Sequence, residues 1–344
     1  MIRTETGIAG QTNVTSARFG RGASLGLGRE LGRFAVCTMA APWEAARHRL
    51  GGQPAAVCFV ESMELDVLDR QLDALPPVDA VVGAGGGQAV DMAKYFAWKR
   101  GLRLVTIPTV LSVDAFVTPA AGVRVNHRVE YLGAASPDPL VVDYDLLRTA
   151  PRELNVAGAG DLLSIHTACF DWELSARDGM DTHGFDPVVI AKARAILAGI
   201  EQSAEEIARA TDAGLQALVD GYLLVNTLCL PAGHYRVEEG SEHFLFYELE
   251  ERLQRPFPHG QIVGLGIALM SRLQENRPAW ITGLMDRLGL DYHPAALGIP
   301  QDALAASLLN LREFVQQRGH WYSVIQTREI TPEWVSAALN ELRF

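Results

Sequence analysis

Hydrophobic and polar positions along this chain fall into two textures. In the first part, short apolar runs alternate with stretches of helical period. Phe34 to Met39, Ala55 to Val60, Ala80 to Gly83, Leu104 to Ile107 and Leu140 to Asp143 predict five strands. Pro42 to Leu50, Met63 to Leu75 and Gln88 to Arg100 predict the helices between them. Near-continuous apolar strands alternating with helices indicate a buried parallel sheet. After Pro151 long helical patterns dominate, among them Gly160 to Arg177, Asp186 to Thr211, Asp212 to Cys229, Glu238 to Leu253 and Gly260 to Gln274. The fold class expected is therefore an α/β domain over residues 1–150, followed by an all-α domain over 151–344. A ligand site is expected at the carboxyl ends of the strands, between the two.

Composition narrows the function classes. The chain has 344 residues, enough for two cores. Its formal charge of −11 argues against a nucleic-acid partner, which needs a basic surface. No apolar run approaches the roughly 20 residues of a membrane span. The polar segment from Met1 to Val14 lacks the layout of a signal peptide. The four cysteines, Cys37, Cys58, Cys169 and Cys229, are scattered without a Cys-x-x-Cys and read as reduced core residues. A cytoplasmic protein with a small-molecule ligand is the expectation.

Two sets of residues carry chemistry. Val81 to Asp91 reads as strand, tight turn and helix, with Gly85, Gly86 and Gly87 at the turn. Glycines let backbone approach a ligand, and the free N–H groups of the following helix suit a pyrophosphate. The spacing matches neither Gly-x-Gly-x-x-Gly nor a Walker sequence, so a tight turn without a ligand also fits. Asp91 and Lys94, three apart on that helix, could be an exposed ion pair. The second set is Asp161, after Gly160, with His243 and His259. One carboxylate and two imidazoles can hold a divalent metal and leave a position open for substrate. Each has a plainer reading: Asp161 as an N-terminal helix acid, the histidines as structural. Arg236 could pair with an anionic substrate or with Glu238 or Glu239. His166 is about 140° around the helix from Asp161 and a poor co-ligand. His48, His183, His293 and His320 read as surface or loop residues, and His127 and His234 stay open.

Taken in order, Phe19–Gly22, Gly85 to Lys94, Ile107 to Pro119, Ala157 to Ser164 with Asp171-Trp172, Gly240 to His243 and His259 to Gly266 resemble the superfamily of iron-containing alcohol dehydrogenases, glycerol dehydrogenase and 3-dehydroquinate synthase. Within it the chain is most similar to the sn-glycerol-1-phosphate dehydrogenases. The resemblance implies NAD or NADP at Gly85, Gly86 and Gly87, aided by Asp91 and Lys94. It implies that Thr109, Ser112 and Asp114 reach the nicotinamide or substrate. It makes Asp161, His243 and His259 the ligands of a divalent metal, Zn2+ first, Fe2+ or Ni2+ otherwise. A homodimer or larger homo-oligomer is usual among such relatives. Two positions depart from the family: Val113 stands where a His commonly precedes Asp114, and Tyr247 where a second His follows His243. Tyr247 could donate a proton or pack on the core. A reductase of a small, possibly phosphorylated ketone or aldehyde is the leading expectation. A carbocycle-forming synthase resembling 3-dehydroquinate synthase is the alternative, weakened by an aspartate rather than a glutamate at position 161. Glu61, Thr38 and Met39 leave the choice between NAD and NADP open.

Overall fold

The computed structural model describes residues 12–342, so the N-terminal stretch up to Gln11, read above for a leader, lies outside the described residues. The chain divides into two compact units, Met1–Asn155 and Val156–Phe344.

In the first unit the described strands are β1 (Ala17–Gly20), β2 (Phe34–Thr38), β3 (Ala56–Phe59), β4 (Ala80–Gly85), β5 (Arg103–Pro108), β6 (Ala121–Val125), β7 (Arg128–Leu132) and β8 (Pro137–Asp143). Six form one parallel sheet in the order β1-β8-β5-β4-β2-β3. β2 shows why it is buried on both faces. Ala35 and Cys37 point into a cluster with Leu68, Leu72, Met92 and Phe96, while Phe34 and Val36 point into another with Leu27, Ala46 and Leu50. Strand order reverses between β2 and β4, because β3 lies on one side of β2 and β4 on the other. The glycine turn at the end of β4 therefore sits at the switch point where such sheets bind ligands.

β1 and the antiparallel pair β6–β7 were not expected. β1 exists through its pairing with β8, Ala17 opposite Leu140. β6 and β7 are joined by Asn126 and His127, both left-handed at φ 53° and 65°. A two-residue turn with two positive φ angles matches the twist of a hairpin.

The second unit is helical among its described residues. Asp161 was expected to begin a helix, and it does not. It lies in the last turn of Arg152–Leu163, and a second helix, Ile165–Arg177, follows. Ser164 separates them: its backbone N–H donates to Asp161 O, and its hydroxyl donates to Asp161 O and Glu238 O. His243 lies on Ser241–Leu253, and His259 is the first residue of His259–Leu273. One helix, Asp212–Ala232, is long and apolar enough to cross a membrane by length and composition. Ten of its residues, including Leu215, Tyr222 and Val225, are buried against the unit, as in a core helix.

Candidate functional site

The glycine turn belongs to the first unit. One residue, Gly86, separates the end of β4 from the helix Gly87–Arg100, and no side chain caps the helix there. Its first N–H groups and positive dipole end thus remain suited to an anion. A Cβ on Gly86 would lie 2.9 Å from Val110 Cγ1, and one on Gly87 2.7 Å from Val113 Cγ1. The turn therefore packs directly on the segment Val110 to Val113, and Val113 takes up space against Gly87. Thr109 N–H donates to Gly85 O at 3.0 Å and Leu111 N–H to Asn155 Oδ1 at 3.0 Å, which fixes Thr109 and Ser112 beside the turn. Asp114 opens a short 3-10 helix, Asp114–Phe116. The Thr38 hydroxyl donates to Ala84 O at 2.7 Å and so braces β2 on β4.

Asp91 and Lys94 form a buried ion pair of 2.7 Å, not an exposed one. The Lys94 ammonium also donates to Ala120 O at 2.5 Å, Thr118 Oγ1 at 3.2 Å and Thr118 O at 3.3 Å. Burial pushes the Asp91 carboxyl up, with Lys94 opposing. All of these partners are protein oxygens, so here Lys94 anchors the chain entering β6 rather than presenting a free charge to a phosphate.

The second unit brings Asp161, His243 and His259 together. A close crossing of two helices makes this possible. A Cβ on Gly260 would lie 1.7 Å from Ala157 O, and one on Gly160 2.0 Å from Gly260 O. Only glycines allow these backbones to touch, and the next residue along from Gly160 and the one before Gly260 are Asp161 and His259. Asp161 Oδ1 lies 3.1 Å from His259 Nε2 and 3.5 Å from His243 Nε2, and the two Nε2 atoms are 3.3 Å apart. Tetrahedral ligands about 2.0–2.1 Å from a zinc-sized ion are about 3.3 Å from one another. The triangle has the size of one face of such a site, with the fourth direction left over. Two imidazole nitrogens and one carboxylate oxygen also suit the ion chemically. Among the described residues this is the one group of three such side chains that converges.

The three side chains also shift one another's charge. Burial would raise Asp161, yet His259 and His243 hold it well below the usual carboxylate range. Burial would lower His243, yet hydrogen bonds to Asp161 and Glu242 hold it well above the ordinary imidazole value.

Tyr247 is half-buried, one turn beyond His243, with ring centroids 6.4 Å apart. Its hydroxyl donates to Glu239 at 2.7 Å. His320, expected at the surface, instead stacks on both Phe244 at 4.5 Å and Tyr247 at 5.5 Å. Burial pushes it down to about 4, so it is neutral. Arg236 pairs with neither Glu238 nor Glu239: it is buried, 3.8 Å from Asp181, and donates to Tyr322 O at 3.0 Å. His234 and His183 join Trp172 and Trp321 in a ring cluster. Three residues had no assigned role in the sequence: Gly260, Glu242 and Asp171. Asp171 is buried and pushed up to about 7, first by burial and then by Glu242. It accepts N–H groups of Ser241 at 2.9 Å and Val324 at 2.8 Å. Their signal was their place in the quoted blocks, which says nothing of contacts.

A family model described as iron-containing alcohol dehydrogenase matches residues 40–151. The chain is 29% identical over 262 residues to the glycerol-1-phosphate dehydrogenase [NAD(P)+] of Aeropyrum pernix, covering 76% of this chain and 72% of that one. Its fold is similar to a probable glycerol dehydrogenase from Sinorhizobium meliloti 1021, with a TM-score of 0.69 and 25% identity over 93% of this chain and 94% of the other. An iron-containing alcohol dehydrogenase from Corynebacterium glutamicum shares the fold at a TM-score of 0.67 and 16% identity, over 91% and 88% of the two chains. These names do not favour the synthase alternative. By its sequence blocks, its parallel sheet with a helical second unit and these likenesses, the chain is similar to the iron-containing alcohol dehydrogenases.

Proposed function

We propose that this protein is a metal-dependent, NAD(P)-linked oxidoreductase that reduces a small ketone or aldehyde to an alcohol. Dihydroxyacetone phosphate, giving sn-glycerol 1-phosphate, is the first substrate to test. The observation that carries the reading is the convergence of Asp161, His243 and His259 at 3.1–3.5 Å. The name of the Aeropyrum pernix relative supports the substrate class.

When bound, the metal supplies Lewis acidity toward the carbonyl oxygen, and the reduced nicotinamide supplies hydride. Asp161 Oδ1 and the Nε2 atoms of His243 and His259 hold the ion, zinc first, with iron or nickel as the other candidates. The N–H groups at Gly85, Gly86 and Gly87 bind the pyrophosphate of NAD or NADP. Thr109, Ser112 and Asp114 face the nicotinamide or substrate, and Asp91 with Lys94 keeps the chain beyond them in place. Tyr247, held by Glu239, keeps a hydroxyl proton near the metal ligands where relatives commonly carry a His. We assign the enzyme to the cytoplasm and to a homodimer or larger assembly.

The test is oxidation of NADH or NADPH by dihydroxyacetone phosphate with zinc-loaded protein. Oxidation that disappears in Asp161→Ala and His243→Ala is the expected result. No oxidation, in protein that binds both zinc and nucleotide, would reject this substrate.

A further inference from the structure

Glu242 is fully buried on the helix that carries His243. Neighbouring residues on a helix diverge by about 100°, so their side chains do not ordinarily meet. Here they do. Glu242 lies in the first turn and folds back, accepting the Gly240 N–H at 2.6 Å with Oε1. The same Oε1 lies 3.0 Å from His243 Nδ1. Its Oε2 is buried without a hydrogen-bond partner. An isolated carboxylate in such a place is costly, and the imidazole is the ion-pair partner given to it.

The surroundings keep this arrangement tight. A Cβ on Gly240 would lie 2.9 Å from Ala168 Cα, 3.0 Å from Asp171 Oδ2 and 3.1 Å from Glu242 Oε2. A Cβ on Gly266 would lie 2.5 Å from Glu242 O. Asp171 holds the Ser241 N–H, so the backbone on the N-terminal side of Glu242 is pinned as well. Thus the turn from Gly240 to His243 is clamped by two helices, Ile165–Arg177 and His259–Leu273.

We propose that Glu242 is a positioning residue for the metal centre: it takes the Nδ1–H of His243, fixes the tautomer that offers Nε2 to the metal, and raises the basicity of that nitrogen. The proposal rests on the reading of Asp161, His243 and His259 as metal ligands. Carboxylates that accept the outer N–H of a ligating His act in this way, and their removal typically weakens metal binding about 10–100-fold.

A plain helix-end role for Glu242 makes a different forecast. Glutamine keeps an oxygen for the Gly240 and His243 N–H groups but carries no charge. Zinc affinity, measured by chelator competition, should fall about tenfold in Glu242→Gln and toward a hundredfold in Glu242→Ala. Nitrogen NMR of histidine-labelled, zinc-loaded wild type should show His243 protonated at Nδ1 and coordinated through Nε2. Zinc affinity of Glu242→Gln within twofold of wild type, or coordination through Nδ1, overturns the proposal. Should Glu242→Ala fail to fold, the glutamine variant and the NMR signature still decide. Asp161→Ala in the same titration separates the two levels. Wild type that takes up no stoichiometric zinc overturns the metal centre and this inference together. Tight zinc lost in Asp161→Ala but kept in Glu242→Gln overturns the role of Glu242 alone.

Discussion

Replacing Gly260 by alanine should remove metal binding while leaving most of the fold. The new Cβ would meet Ala157 O at 1.7 Å and Ala157 C at 2.6 Å, both backbone atoms that cannot rotate away. A relaxed carbon–oxygen contact is about 3.3 Å, so the helices Arg152–Leu163 and His259–Leu273 must separate there by roughly 1.6 Å. Asp161 and His259 flank the crossing, and the displacement falls on their 3.1 Å edge. Metal sites accept deviations of about 0.2 Å, several times less than this shift. Overpacking of this kind costs about 1–3 kcal/mol, well within what a folded domain survives. Gly283→Ala is the control. That glycine sits inside Pro278–Leu288 with nothing within 4 Å of a new Cβ. It should stabilise by about 0.4–1 kcal/mol and leave zinc binding alone. Chelator competition gives the affinity, and denaturant unfolding of metal-free protein gives the stability. Gly260→Ala should lose at least a hundredfold in zinc affinity. Wild-type affinity in that variant would refute the claim that the glycine crossing sets the ligand spacing.

Two further predictions follow from buried charge. In metal-free protein His243 is raised and Asp161 lowered, so their signs differ. The raised His243 stabilises fully below its unfolded value of about 6.5 and loses that contribution as pH rises through its folded value. The lowered Asp161 stabilises above about 3.9 and loses that contribution only as pH falls. The raised Asp171 adds to the loss as pH climbs toward about 7. The thermal midpoint of metal-free protein should therefore fall as pH rises above about 6.5, and zinc should flatten the decline; a steady rise from pH 6.5 to 9 would contradict this. The second prediction concerns Lys94→Met, which leaves the Asp91 carboxylate and the Ala120 carbonyl without their partner. It should destabilise by about 3–5 kcal/mol in denaturant unfolding, and Asp91→Asn added to it should recover part of that. A variant of wild-type stability that has lost only nucleotide binding would return Lys94 to the role of a phosphate ligand.

Strands buried on both faces announce themselves, and β2, β4, β5 and β8 lie where their apolar runs indicate. β1 has four residues, one of them arginine, and acquires its conformation from β8, which no local pattern reports. The hairpin β6–β7 was legible in part: Asn126-His127 between alternating strands supplies the turn, although without the glycine that usually marks one. The site follows the same division. Residue types at 161, 243 and 259 carry the chemistry in the sequence. Their spacing does not, since the ligand triangle is built by a glycine crossing between residues far apart in the chain. Lys94 and His320 read differently in the structure because exposure depends on what packs over them. Asp161 lies at a helix end rather than a helix start because the helix already begins at Arg152, and the Ser164 N–H bonds back to the Asp161 carbonyl where it ends.

The most direct measurement is a titration of metal-free protein with zinc, following both bound metal and nicotinamide oxidation by dihydroxyacetone phosphate. Activity should rise in step with zinc to one equivalent per chain and then level off, with Asp161→Ala flat throughout. Activity independent of zinc, or unaffected by Asp161→Ala, would contradict the account.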